Sequence, residues 1–539
     1  MVPVQHADRE ISNPSAWRGS TQKWLLLSLL GVAILGLPSL LYPFPPDQAM
    51  FAYIGDRWLH GELPYRDAWD LKPPGIFGVF AAAQVIFGRG MAAARWADLF
   101  ATLMAAGGLF VLAKRRDPGR VAIFAPLIFG LIYFNCFEYQ DSAQSESFAA
   151  PFTVLYFLCL IRSRDRRGWG WPVLAGLTLG SMVLLKTAFV MFIVLAPIAY
   201  WPRELADDTG KARLLKMFAL LCGLSAPLAA TAVYFWSRGA LGELSNLLAA
   251  QKAYSTVPSA EALARSGRSI VRFFHERPAL LVLCLAVTVS FFSPYRKRVP
   301  GLYWAWLGVA AGIVTLQWRC HSYHFLVLLP PLALIGGSLC ARLRLFAESS
   351  PRREVGPSAC LFLLLLFLIP VALGMRRFGL AASVLTGTIS RDSYWACFNA
   401  PGWYPFENSV NVANFVREHT VPSDHILVYD YDPAIYYLSE RACPTRHLSN
   451  EPIIGAQFYP AALREAWRKQ QIYEITNHPP RLLVVAVCPH CHGMASEHEF
   501  APKRIHFAAD DYELLTSITK DRIYRRLPRR VTVQVGMTH

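Results

Sequence analysis

PFPPDQAMFAYIGDRWLHGELPYRDAWDLKPP, residues 43–74, decides how the rest of this chain is read. It follows directly on an apolar segment, Trp24–Tyr42. It holds five acids, Asp47, Asp56, Glu62, Asp67 and Asp70, with Lys72 close to the last of them. Most of the first 376 residues are apolar, so these carboxylates stand at the edge of a bilayer. Polar groups held against lipid are costly and mark function more often than a solvated loop does. Within the stretch, Met50–Leu59 is amphipathic, and Phe51, Ile54, Trp58 and Leu59 are expected to face lipid in the interface. Gly61 and Pro64 end that run. Pro73 and Pro74 open a new apolar segment, where proline is admissible at a helix start.

Composition supports the same reading. The chain has 539 residues, is 54% hydrophobic and carries a net charge of +16. Apolar runs of about 20 residues, the length that crosses a bilayer, recur up to Gly374. No secretory cleavage site follows Trp24–Tyr42, which is therefore read as a retained span. The basic excess is gathered in short loops: Lys114–Arg116, Arg162–Arg167, Arg296–Arg298 and Arg342–Arg353. That is the pattern of cytoplasmic loops, not of a nucleic-acid surface. The 11 cysteines lie mostly within apolar runs and do not describe a disulfide scaffold.

These loops set an expected topology. Residues 1–23, with Arg9, Arg18 and Lys23, form a cytoplasmic tail. Residues 24–376 form the multi-span membrane domain, with 43–74 as its outer loop. Ile76–Gly88 is short for a crossing and reads as a juxtamembrane or re-entrant helix. Spans follow at Ala92–Ala113, Val121–Phe134 and Phe148–Ile161. Val173–Trp201 is read as two short crossings that break near Lys186, because one crossing would move the later basic clusters to the outside. Leu214–Trp236, Leu280–Phe292, Tyr303–Leu316, Phe325–Cys340 and Ala359–Gly374 bring the expectation to 11 transmembrane helices. In the long loop Ser237–Pro278, Leu241, Leu244, Leu247 and Leu248 have the spacing of an interfacial helix.

Residues 377–539 are expected to form an extracytoplasmic α/β domain. His425–Tyr431 and Arg481–Val487 read as buried strands, and Ser409–His419 and Pro460–Thr476 as helices. Cys488-Pro-His-Cys491-His492 fits the C-x-x-C-H haem-attachment pattern, but without any haem-protein context a local disulfide is the preferred reading.

Asp47, Pro64-Tyr65-Arg66-Asp67 and Asp70 to Gly75 resemble polytopic glycosyltransferases of the GT-C fold, and within them family 39. That group contains protein O-mannosyltransferases and the lipid A aminoarabinose transferase. The resemblance implies transfer of a sugar from a polyprenyl-phosphate donor to an extracytoplasmic glycan, lipid or protein acceptor, in a bacterial inner membrane. It implies Asp47 as the catalytic base of an inverting reaction, and Lys72 and Lys186 as cations for the donor phosphate. It makes Glu146, and less directly Asp141, a second acid for the acceptor or a divalent ion. Tyr65, Asp70, Arg319, Tyr323 and His324 are expected to line the cavity. The family usually has Asp-Glu where this chain has Asp47-Gln48, so the second acid is missing. His321 and His324 alone are a weak metal signal, and neither a metal nor another cofactor is identified. The rival reading is a polytopic lipid or glycolipid transporter, which would place ionisable groups at mid-membrane on paired repeats. Here they cluster at one face and no repeat is visible.

Overall fold

A computed structural model describes residues 14–115, 122–165, 168–201, 210–255, 260–349, 357–399, 405–429, 431–449, 459, 461–485, 511–519 and 521–527. In chain order the helices of the bundle are α1 (Pro14–Gly36), α2 (Pro46–Leu59), α3 (Pro74–Phe87), α4 (Met91–Lys114), α5 (Phe124–Cys136), α6 (Ser145–Asp165) and α7 (Gly170–Leu185). A 3-10 turn, Thr187–Val194, leads into α8 (Leu195–Tyr200), then α9 (Gly210–Ser237), α10 (Leu241–Tyr254), α11 (Ala260–His275), α12 (Pro278–Phe292) and α13 (Gly301–Leu316). A second 3-10 turn, Ser322–Leu328, opens α14 (Leu329–Ser349), and α15 (Pro357–Leu385) ends the bundle. The chain is thus a polytopic α-helical protein, and among the described residues each apolar segment read as a span is mostly helical. Among the described residues, five helices are long and apolar enough to cross a membrane, and six shorter apolar helices accompany them. Leu30, Phe100, Phe218 and Val289 are exposed on the outside of the bundle, as contact with lipid requires.

The bundle has a polar end and a basic end. Arg95 near the start of α4 donates to Pro43 O, and Glu146 opens α6 beside Lys186. Arg277, just ahead of α12, pairs with Asp141, and His324 precedes α14. Each of these helices then runs away to a basic terminus: Lys114, Arg162, Arg296 or Arg342. α15 returns, and Arg377 donates to Phe134 O and Phe137 O back at the polar end. The C-terminal domain therefore sits on the polar end.

The chain reverses at Lys186. Glu146 at the start of α6 meets Lys186, mid-helix Tyr156 donates to Phe192 O at 3.0 Å, and Tyr200 lies by Ser163 near the α6 terminus. The residues after Lys186 thus run beside α6 in the same direction, opposite to α7. α3 lies across the polar end rather than through the bundle. Its first turn packs Gly75 on the Leu184 backbone, while Arg89 just beyond it reaches Asp56 and Tyr437 O.

The C-terminal unit adds α16 (Arg391–Ala396), α17 (Phe406–Glu418), β1 (Ile426–Tyr429), α18 (Pro433–Ser439), α19 (Ala461–Asn477), β2 (Leu482–Val485), β3 (Tyr512–Ile518) and β4 (Asp521–Arg526). The sheet order is β1-β2-β4-β3, with β1 and β2 parallel (Ile426 opposite Leu482) and the other pairs antiparallel. The β3–β4 hairpin has no counterpart in the sequence reading.

α2 requires a correction. It is the expected helix, but Phe51 and Ile54 do not face lipid; both are 1% exposed. Phe51 packs edge-on against Phe80 of α3, and Tyr53 lies against Tyr436 of α18. α3 covers Phe51 and Tyr234 of α9 meets Trp58, while α18 of the C-terminal domain covers the adjoining surface at Tyr53; Leu59 stays exposed.

Close packing inside the bundle generates a test. A Cβ on Gly176 of α7 would lie 2.0 Å from Leu220 O of α9, and backbone cannot give way as a flexible side-chain tip can. Gly176→Ala should destabilise the protein by about 1–3 kcal/mol, the usual cost of overpacking. Gly242→Ala, where the added Cβ meets nothing within 4 Å, should leave the melting temperature in detergent unchanged.

Candidate active site

Five helix entries and turns converge at the polar end. Asp47 sits in the first turn of α2, where a carboxylate is favoured by the helix dipole. The N-cap position belongs to Pro45, and no side chain caps the helix, so the Asp47 carboxylate is left to other partners. Its Oδ1 accepts from Tyr431 Oη at 2.8 Å, and its Oδ2 lies 3.4 Å from Gln144 Nε2. Asp47 is only partly buried and so stays accessible.

Lys72 and Lys186 approach one ring from different loops. Their Nζ atoms lie 5.0 Å and 5.5 Å from the centroid of Tyr323. Glu146, in the first turn of α6 and with its side chain fully buried, forms an ion pair with Lys186. Burial opposes the charge on Lys72, but Tyr323, Asp47, Glu146 and Asp70 outweigh it and its pKa is raised. Lys72 is therefore a fixed cation. Burial lifts the Asp70 carboxyl to about 6; Lys72 pulls it down and Asp47 pushes it up. Asp70 Oδ1 accepts from Leu71 N at 2.7 Å, which holds the turn that presents Lys72.

Tyr65 supports this turn from beneath rather than lining an open cavity. It is fully buried, in the left-handed region at φ 71°, and donates its hydroxyl to Lys72 O at 2.8 Å. A non-glycine residue held there costs about 1–2 kcal/mol, which the packing of Trp69, Phe77 and Phe235 offsets. The His321 ring stacks on Tyr323 at 5.5 Å, and buried His324 meets Tyr323 edge-on at 4.8 Å. Arg319 lies over the Tyr254 ring at 4.2 Å. Asp141 is engaged elsewhere, pairing with Arg277 at 3.4 Å and accepting from the Ser322 hydroxyl. Among the described residues, no group of three or more His, Cys, Asp or Glu side chains is placed to hold a metal ion. The Cys488–His492 motif lies outside the described residues.

Several members of the site were not read from the sequence. Arg95 and Asp98 are buried in α4: Arg95 donates to Ser142 Oγ at 2.6 Å, and Asp98 accepts from Tyr133 Oη at 2.6 Å and Ala143 N at 3.0 Å. With Gln48, which donates to Ser142 O at 2.5 Å, they fix the loop that carries Gln144 and Glu146. Their signal was two ionisable residues within one apolar run. Tyr431 gave no signal: it reaches Asp47 across 384 positions of sequence. Gln251 gave little; it donates to Leu71 O at 2.9 Å and accepts from Thr187 Oγ1, tying the Lys72 and Lys186 loops together.

The fold is that of the GT-C class. Within that class the chain resembles glycosyltransferase family 39: residues 71–238 match the model for dolichyl-phosphate-mannose-protein mannosyltransferase. The chain is 27% identical over 336 residues to an undecaprenyl phosphate-alpha-4-amino-4-deoxy-L-arabinose arabinosyl transferase of Pseudomonas aeruginosa (strain LESB58). The match covers 56% of this chain and 56% of that protein, so the chain spans about half the length of the curated relatives it matches. ArnT from Cupriavidus metallidurans, solved bound to undecaprenyl phosphate, aligns with a TM-score of 0.59 and 13% identity over 94% of this chain and 98% of that one. The archaeal oligosaccharyltransferase AglB from Archaeoglobus fulgidus, in complex with an inhibitory peptide and a dolichol-phosphate, aligns with a TM-score of 0.50 and 11% identity, over 86% and 69%.

The Asp70 carboxyl gives a pH test. Free aspartate titrates near about 3.9. The folded chain holds this proton more tightly, so the native state loses stability as pH rises from about 4 to about 6. Asp70→Asn should flatten the dependence of the melting temperature on pH across that window.

Proposed function

We propose that this chain is a membrane glycosyltransferase that moves a sugar from a polyprenyl-phosphate donor to a hydroxyl of an extracytoplasmic acceptor. One observation carries the reading: a partly exposed carboxylate, Asp47, lies near two ammonium groups, Lys72 and Lys186, that both approach the Tyr323 ring. A donor phosphate needs cations in a low-dielectric site, and an attacking hydroxyl needs a base. The relatives named above act on, or were solved with, undecaprenyl or dolichol phosphate, which supports this class of donor. The grouping of charge at helix ends, rather than mid-helix on paired repeats, argues against the transporter reading.

In this mechanism the acceptor oxygen attacks the anomeric carbon from the face opposite the phosphate, with inversion. Asp47 takes the hydroxyl proton as the new C–O bond forms. The electron pair of the breaking bond passes to the phosphate oxygen, where Lys72 and Lys186 hold the growing charge. Glu146 sets the position of Lys186 through their ion pair and lies near enough to Lys72 to act on its charge. The acceptor is a glycan, a lipid or a protein hydroxyl.

Asp47→Asn keeps size and shape but cannot take a proton. Its turnover should fall by about 10²–10⁴ while donor binding stays near wild type. The assay is release of undecaprenyl phosphate from undecaprenyl-phosphate-linked sugars in the presence of a membrane glycolipid extract. Wild-type turnover by this variant would remove Asp47 from the chemistry.

Lys72→Ala and Lys186→Ala should each weaken binding of undecaprenyl phosphate, and Lys72→Arg should restore it only in part, because a planar guanidinium replaces a compact ammonium. Unchanged affinity in both alanine variants would refute the phosphate assignment.

The polar end, with the C-terminal unit on it, faces the outside of an inner membrane in this reading. A reporter fused after Gly374 should read extracytoplasmic and one after Arg116 cytoplasmic. A cytoplasmic signal for the first would invert the topology.

A further inference from the structure

The soluble domain does more than cover the loop. Tyr431 follows β1, and its hydroxyl donates to Asp47 Oδ1 at 2.8 Å, a good length for such a bond. Its neighbours hold it in place. Asp432 accepts from Ser409 Oγ at 2.7 Å, and Tyr437 of α18 donates to Gln84 Oε1 of α3 at 3.1 Å. Cys443 N donates to Tyr53 Oη of α2 at 3.0 Å, and Trp69 N donates to Arg446 O at 2.7 Å. Arg446 also reaches Tyr65 O at 3.1 Å. The domain is thus bonded to α2, which carries Asp47, and to α3, and Tyr431 approaches Asp47 as part of that contact.

The two oxygens of Asp47 are not equivalent. Oδ1 has a well-formed charge-assisted bond from a phenol. Oδ2 has Gln144 Nε2 at 3.4 Å, beyond the usual 2.7–3.2 Å range, and Gln144 has a second acceptor in Gln140 O at 3.2 Å. An entering hydroxyl can displace that weak contact at little cost. A carboxylate free to rotate would offer either oxygen in many poses, and misplaced reacting atoms lose rate steeply.

We infer that Tyr431 is a positioning residue for Asp47: it anchors Oδ1 and leaves Oδ2 as the oxygen that receives the acceptor proton. The proton passes from the acceptor hydroxyl to Oδ2, the acceptor oxygen bonds to the anomeric carbon, and the phosphate leaves with the electron pair. Tyr431 keeps its own proton throughout. The inference rests on Asp47 being the base, and it makes the C-terminal domain a part of the active site.

The test is a double-mutant cycle on the full-length protein in lipid nanodiscs. The probes are undecaprenyl-phosphate-linked 4-amino-4-deoxy-L-arabinose and a membrane glycolipid extract, and the readout is release of undecaprenyl phosphate. Tyr431→Phe should lower kcat by about 10- to 100-fold, the worth of one hydrogen bond to a charged group, with KM for the donor unchanged. Added to Asp47→Asn, it should cost less than about twofold more, because the two act as one unit. Equal losses in both backgrounds, or a rise in KM with kcat intact, would overturn the inference. A slow Asp47→Asn with additive Tyr431→Phe sinks this inference alone; a wild-type rate for Asp47→Asn sinks the base itself. A second measurement is independent of turnover. Asp47→Cys with Tyr431→Cys should be joined by a short bis-methanethiosulfonate linker, read by peptide mass spectrometry. Failure to cross-link in the inserted protein would show that the two side chains do not meet and would also overturn the inference.

Discussion

The ion pair between Lys186 and Glu146 is the constraint on which the polar end depends. An ammonium at the turn between two apolar helices needs a partner, because an unpaired charge there costs several kcal/mol. Glu146 supplies one from the first turn of α6, where the helix dipole also favours its carboxylate. The pair holds the reversal at Lys186 against the start of α6. That reversal places Leu184 against Gly75, and Gly75 follows directly on the Lys72 turn. The two cations are thus located relative to one another through backbone contact rather than through long, mobile side chains.

A second layer of order comes from the soluble domain. α2 has an apolar face, and an apolar face must be covered by something. Here α18 and α3 cover it, and the polar remainder of the loop is bonded to Arg446, Cys443 and Tyr431. The buried Arg95 and Asp98 do the same work from the membrane side, pinning Pro43 and the Ser142–Ala143 turn. Asp47 is therefore held between a membrane-embedded network and a soluble one.

What was legible in the sequence came from the family resemblance and, for Lys186, from a charge that interrupts an apolar run. Asp47, Lys72, Glu146 and Lys186 were singled out in that way, and the structure gathers all four around Tyr323. The break at Lys186 was readable because basic clusters restrict the parity of crossings. The lipid-facing reading of Phe51 and Ile54 failed because periodicity shows that a face is apolar but not what covers it. The β3–β4 hairpin was missed because its residues alternate weakly, with Leu514 exposed in place of a polar residue. Tyr431 was invisible because a single tyrosine in a soluble stretch is ordinary, and its role exists only through a contact with the far end of the chain.

Tyr65 O and the Arg446 side chain that donates to it are 381 positions apart. At roughly 5–20 residues per second of synthesis, the 43–74 loop waits roughly 20–80 s for its covering domain. During that interval α2 has no α18 to cover it and Asp47 has no tyrosine hydroxyl. The membrane part can insert and pack in that time, but its reactive end is assembled last. A ribosome that stalls or a chain cut short before β1 would leave an inserted bundle with an unfinished polar end.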